Sequence, residues 1–163
     1  MTGIVWPGQF APGRSAVHVR NELAMAAPAA AVWAWLVRAE RWPEWYVNSR
    51  GVRIVEAGEG RAGELGLGTR FLWRTFGVAI DSTVAELVAG ERIAWTARGV
   101  GVRAYHAWLL TPAAGGCHVV TEETQNGWAA RLGSLVMPHR MHRYHQIWLE
   151  SLARQAGAGR RPG

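Results

Sequence analysis

Between Arg50 and Gln125 the chain falls into six short segments, "RGVRIVEA", "GTRFLWRTF", "VAIDSTVAELV", "ERIAWTAR", "VRAYHAWLLTP" and "CHVVTEETQ". They are separated by Gly58 to Gly68, Gly77, Gly90, Gly99 with Gly101, and Gly115-Gly116. The segments are rich in β-branched and aromatic residues, and several alternate apolar with polar positions, which is the two-residue period of a half-buried strand. Connections this short admit only antiparallel neighbours, because a parallel pair needs a crossover of a dozen or more residues. The stretch therefore reads as an antiparallel meander. Its faces follow from parity: Val102, Ala104, His106, Trp108 and Leu110 share one face and Arg103 and Tyr105 the other, so the first set is the expected interior.

The flanks complete the pattern. "SAVHVRNELAM", starting near Ser15, alternates in the same way and is a first strand. In "APAAAVWAWLVRAERWPEWYVN" the period becomes helical after Pro28; Pro43 divides it into two short helices, about 29–38 and 42–46. After Gly127, "WAARLGSLVMPHRMHRYHQIWLESLARQ" is helical to about Gln155, with one apolar stripe at Trp128, Leu132, Leu135 and Val136 and a second at Met141, Tyr144, Ile147, Trp148 and Leu152. Pro138 stands between the stripes, removes a hydrogen bond to the Ser134 carbonyl and predicts a bend. Residues 1–14, with Pro7, Pro12 and three glycines, read as a flexible arm without regular structure; residues 157–163 read as a disordered tail. One domain over 15–156 remains, an α+β unit in which a strongly curved sheet of seven antiparallel strands has one long helix to cover its concave side.

Composition narrows the function classes. The hydrophobic fraction of 49% and ten tryptophans leave apolar area to line a cavity. The net charge of +6 comes from 18 arginines and no lysine, scattered singly, without the basic stripe of a nucleic-acid surface. The single cysteine excludes an intramolecular disulfide and a multi-cysteine zinc site. With no secretory leader pattern and no apolar run of about 18 residues, the expectation is a soluble cytoplasmic protein without a membrane span, monomeric or homodimeric.

Element order and local wording resemble the START-like or SRPBCC helix-grip superfamily, in particular its bacterial polyketide cyclase/dehydrase-like branch, over roughly residues 15–155. The carriers are "MAAPAAAVWAWLVRAERWPEWY", "LGLGTRFLWRTFG", "VAELVAGERIAWTARG", "HAWLLTPAAGGCHVVTEE" and "GWAARLGSLVMP". The resemblance implies the helix-grip fold and an internal, mostly apolar cavity between sheet and long helix that holds a lipid, polyketide or other hydrophobic molecule. Members include carriers, aromatase/cyclases and co-chaperone domains, so the activity must be argued from the site.

The cluster "HRMHRYH" invites a metal reading, but His139, His142 and His145 are spaced by three, and at about 100° per residue they fan around the helix. With no HExxH motif or chelating carboxylate they read as a solvated or rim-lining basic face, and neither metal nor cofactor is expected. The interior face carries the better candidates. His106 sits between Ala104 and Trp108, and an imidazole in an apolar pocket is either a fixed core group or an acid/base near neutral pH. Glu123 shares parity with Cys117, Val119 and Thr121 on the neighbouring strand; it orients His106, caps the following helix or pairs with Arg74. Trp45 and Tyr46 at the mouth, Trp73, Trp95 and Trp108 on successive strands, and Trp128, Leu132 and Val136 on the helix form the expected ligand-binding wall, with Ser82, Thr121 and Asn48 as orienting polar groups. The expected function is binding of an aromatic or polyketide-like molecule, with cyclisation or dehydration by His106 and Glu123; a carrier without turnover and a co-chaperone-like module are the alternatives.

Overall fold

Strand β1 (Val17–Met25) leaves the sheet at one edge, and the chain returns to it only at the end of the meander. The computed structural model describes residues 3–159. After β1 come helix α1 (Ala29–Leu36) and a 3-10 segment (Ala39–Glu44), which carry the chain to the far edge. There β2 (Arg50–Glu56) opens a run through β3 (Arg70–Thr75), β4 (Val78–Val88), β5 (Arg92–Gly99), β6 (Val102–Ala113) and β7 (Gly116–Asn126). Each strand pairs antiparallel with the next, and β7 pairs with β1 from Val17 opposite Gln125 to Met25 opposite Cys117. The seven-stranded order is β1-β7-β6-β5-β4-β3-β2.

The expected bend at Pro138 is a full break. Helix α2 (Trp128–Val136) stops before it, and α3 (Arg140–Gly157) starts after it. The residue before a proline is driven out of the helical region, and Met137 lies at φ −138°, ψ 68°. Helix α3 grips the concave face with Trp148, Leu149, Leu152 and Ala156. Buried Asn21 in the middle of β1 ties it down, its amide donating to the His142 carbonyl and to Gln146 Oε1. Between sheet and helix the large side chains form an aromatic lattice: Trp42 lies 5.5 Å from Trp95 and 5.2 Å from Trp148, and Trp108 lies 5.2 Å from Trp148 on its other side. Offset and edge-on contacts at these separations add to what area burial alone supplies.

Two further expectations change. From residue 3 on, the described part of the N-terminal arm is packed, residues 1–2 lying outside the described residues: 3-10 turns at Gly8–Phe10 and Pro12–Arg14 bring Phe10 onto Tyr105, Ala94 and Ala107 on the outer face of the sheet, where the Phe10 carbonyl accepts from Thr124 Oγ1 at 2.9 Å. This second small core explains why both faces of β5 and β6 are buried. Helix α2 also turns its apolar stripe the other way. Gly127 enters it at φ +113°, where a Cβ would lie 2.3 Å from the Gly101 carbonyl oxygen, and the Trp128 ring lies across Gly101. That close approach rotates small Ala130 and Gly133 inward and leaves Trp128, Leu132, Leu135 and Val136 on the outside. Of the tail, Gly157 closes α3, and residues 160–163 lie outside the described residues.

Candidate functional site

Register places the two acid/base candidates face to face. His106 on β6 is the direct cross-strand partner of Glu123 on β7, and His106 Nδ1 lies 3.1 Å from Glu123 Oε2. Helix α3 adds a third group: His145 Nε2 donates to the same carboxylate oxygen at 3.1 Å. The other oxygen, Oε1, accepts from Gln125 Nε2 at 2.7 Å. Behind His106, Thr121 Oγ1 lies 2.7 Å from Nε2. All three acid/base groups are buried.

The electrostatics follow from that burial. Removal from water drives His106 down to about 3; Glu123 opposes this and His145 adds to it. For Glu123, burial alone would raise the carboxyl, but the facing His106, the His145 hydrogen bond and charge, and Gln125 outweigh it and bring it down to about 2. Near neutrality the centre is thus a carboxylate beside a neutral His106. The anion next to Nδ1 fixes the His106 proton there, so Nε2 accepts from the Thr121 hydroxyl and His106 has no lone pair to spare. His145 differs: with Nε2–H donated to Glu123, its Nδ1 has no hydrogen-bond partner among the described residues. It is the unpartnered ring nitrogen of the centre.

Donor atoms of His106, Glu123 and His145 lie within 4.8 Å of one another, so the three residues present the donor set of a metal site. Their rings argue against chelation as arranged. The imidazoles stack with centroids 4.8 Å apart and planes 6° from parallel. An ion bound at about 2.0–2.1 Å from each nitrogen lies near each ring plane, and two stacked parallel planes share no such point. One ring would have to swing out of the stack first.

Beside this centre is a cavity of about 140 Å³. Trp73, Trp95, Trp148 and Tyr46 wall its deep side; Ala130, Gly133 and Met137 roof it, and His106, Glu123 and His145 stand at its polar edge. Of the expected wall, Trp73, Trp95 and Tyr46 line the space. Trp108, Thr121 and Ser82 are buried behind it: Trp108 stacks on His106 at 5.6 Å, and Ser82 Oγ accepts from Trp73 Nε1 at 3.0 Å. Trp45 packs half-buried against the core away from the cavity. Trp128, Leu132 and Val136 are a correction, since they point outward and their places are taken by the small residues of α2. Asn48 secures the β3–β4 turn, donating to Thr75 Oγ1 and accepting from the Phe76 amide. Glu123 neither caps a helix nor meets Arg74, which donates to the Gly77 carbonyl.

The histidine fan is also corrected. His139 and His142 are exposed, as a rim would be, but His145 is buried in the centre. Its spacing from Trp148, Leu149 and Leu152, at +3, +4 and +7, was the available signal, because those residues define the buried face of the helix.

With a polar triad at the edge of an aromatic hollow in place, comparison with known proteins is informative. Residues 16–157 match the family model described as polyketide cyclase/dehydrase and lipid transport. The chain belongs to this family. A hypothetical protein of Helicobacter pylori is similar in structure, with a TM-score of 0.85, 27% identity, and coverage of 96% of this chain and 97% of that one. The Zhui aromatase/cyclase of Streptomyces sp. R1128 is similar at a TM-score of 0.69 and 17% identity over 86% of this chain and 93% of its own. A protein of Thermus thermophilus, TTHA0849, gives 0.71 and 20% over 87% and 98%. The helix-grip fold of this cyclase/dehydrase family member is therefore established, and at these identities the last two likenesses concern fold alone. No curated protein matches the sequence significantly.

Proposed function

We propose that this family member binds a hydrophobic, aromatic or polyketide-like molecule in the cavity beside His106, Glu123 and His145, and catalyses its cyclisation and dehydration without a cofactor. The observation that carries the proposal is the unpartnered Nδ1 of His145, an imidazole nitrogen held beside a buried carboxylate at the edge of an apolar hollow. In the proposed reaction, Nδ1 takes a proton from a methylene between two carbonyls of the substrate. The resulting enolate carbon attacks a further carbonyl carbon of the same chain, forming the ring C–C bond, and the new alkoxide takes the proton back from the imidazolium. A second α-proton removal at His145, with return of that proton to the leaving hydroxyl, expels water. Glu123 balances the imidazolium charge, and His106 with Thr121 holds the carboxylate in place. The aromatic wall folds the flexible chain so that the reacting carbons meet.

The test uses a poly-β-ketothioester mimic and follows the absorbance of the aromatic product. The protein is expected to accelerate cyclisation, and His145→Ala to lose roughly 100-fold or more of that acceleration while retaining binding of the mimic. Binding without acceleration in the unaltered protein would reject the enzymatic reading and leave a carrier.

A further inference from the structure

Helix α2 presents a surface that the cavity does not use. Trp128, Leu132, Leu135 and Val136 are 67%, 55%, 80% and 66% exposed, and Val100 on the adjoining β5–β6 turn is 78% exposed. At helical spacing the four α2 residues form one continuous stripe about 100° wide, and Ala130 is the one residue of the nine that is buried. Apolar residues scattered over a surface need no explanation; a contiguous apolar stripe does. The charge around it has a single sign. No Asp or Glu occurs in 124–149, whereas Arg131 on α2 and Arg143 on α3 are exposed in that segment, and Arg140 lies over the Phe76 ring at 4.8 Å.

We propose that this face docks on an anionic lipid surface, with the α2 stripe in the headgroup–acyl boundary and the arginines on the lipid phosphates. A short helix with Trp and Leu on one side, Arg131 beside them and Arg140 and Arg143 on the helix that follows has the make-up of an interfacial segment. Among the described residues no helix is long and apolar enough to cross a membrane, so the contact is peripheral. A second copy of the chain would set the arginines of 131–143 against their own kind, with no carboxylate in 124–149 to pair them. Position adds a reason: the inner side of the same helix, at Ala130 and Gly133, roofs the cavity. Docking there would put the cavity mouth at the bilayer, where a hydrophobic guest resides. That last step rests on the cavity reading, whereas membrane binding itself does not and can be measured on the empty protein.

The experiment is co-sedimentation of the full chain with phosphatidylcholine vesicles and with vesicles containing about a third phosphatidylglycerol, an anionic fraction well above that needed for electrostatic attraction. The expected result is binding to the anionic vesicles, weakened by 0.5 M salt as roughly expected for screened charge and reduced about tenfold or more in Leu135→Asp and in Arg131→Glu. Both side chains are exposed, so the thermal midpoint is expected to stay unchanged and to separate lost docking from lost folding. Equal binding to neutral vesicles, no binding to either, undiminished binding by Leu135→Asp, or a dimer in sedimentation equilibrium that Leu135→Asp dissolves would each overturn the proposal. The dimer result would assign the face to a second copy.

Discussion

Acidification from pH 7.5 to 5.0 probes the buried centre directly. His106 is neutral in the folded protein down to about pH 3, whereas in the unfolded chain it takes up a proton near the ordinary histidine value of about 6.5. Its folded value is depressed, so the stability it contributes is complete above about 6.5 and is lost as the pH falls below that. Each pH unit below 6.5 costs about 1.4 kcal/mol, so at pH 5.0 the loss is about 2 kcal/mol from this residue. For a chain of this length that lowers the thermal midpoint by roughly 4–8 °C. Glu123 does not enter this window: its folded value of about 2 lies below the unfolded value of about 4.3, so its contribution is lost only under stronger acid. Urea unfolding followed by tryptophan fluorescence at the two pH values measures the difference, and His106→Asn, which cannot titrate, serves as the reference. The variant is expected to lose about 2 kcal/mol less than the unaltered protein over the same interval. Equal losses in the two proteins would refute the assignment of His106 as a buried neutral group.

Gly127→Ala places a Cβ 2.3 Å from the Gly101 carbonyl at a φ of +113°, and is expected to destabilise by about 2 kcal/mol or more in chemical denaturation, with the loss centred on the α2 junction in hydrogen exchange. Trp42→Ala removes the hub of the aromatic lattice and a 2.9 Å hydrogen bond to the Leu36 carbonyl, for an expected cost of about 3–5 kcal/mol in the same assay. Because His106 and His145 stack, titration with cobalt(II) is expected to give no ligand-field bands of a tightly bound ion; a stoichiometric endpoint at micromolar protein, abolished in His145→Ala, would show that the stack opens to chelate.

The parts of this molecule that were readable in its sequence are those governed by the two-residue period of strands. Parity in 102–110 put His106 and Trp108 inward, and the same rule on the next strand brought Glu123 to the same face, where the register sets it opposite His106. The rest was set by tertiary contacts. An apolar stripe on α2 states that one face differs from the other, but the Gly127–Gly101 approach decides which face meets the sheet. His145 looked like one member of a basic fan because its neighbours are arginines and exposed histidines; the docking of α3 through Asn21 and Trp148 buries it. The N-terminal arm has the prolines and glycines of a loop, yet Phe10 finds a flat apolar seat over Tyr105 that local composition does not reveal.

The central claim is that the hollow beside the triad receives an apolar aromatic guest, and filling that hollow tests it. A side chain at Gly133, on the cavity face of α2, would meet only an Arg140 guanidinium nitrogen at 3.7 Å, so Gly133→Phe can occupy the space without backbone strain. Isothermal titration with 2-naphthol is expected to show one site in the unaltered protein and none in Gly133→Phe, whose thermal midpoint is equal or higher. Equal affinity in both proteins, or no binding by the unaltered one across a panel of aromatic phenols and ketones, would contradict it.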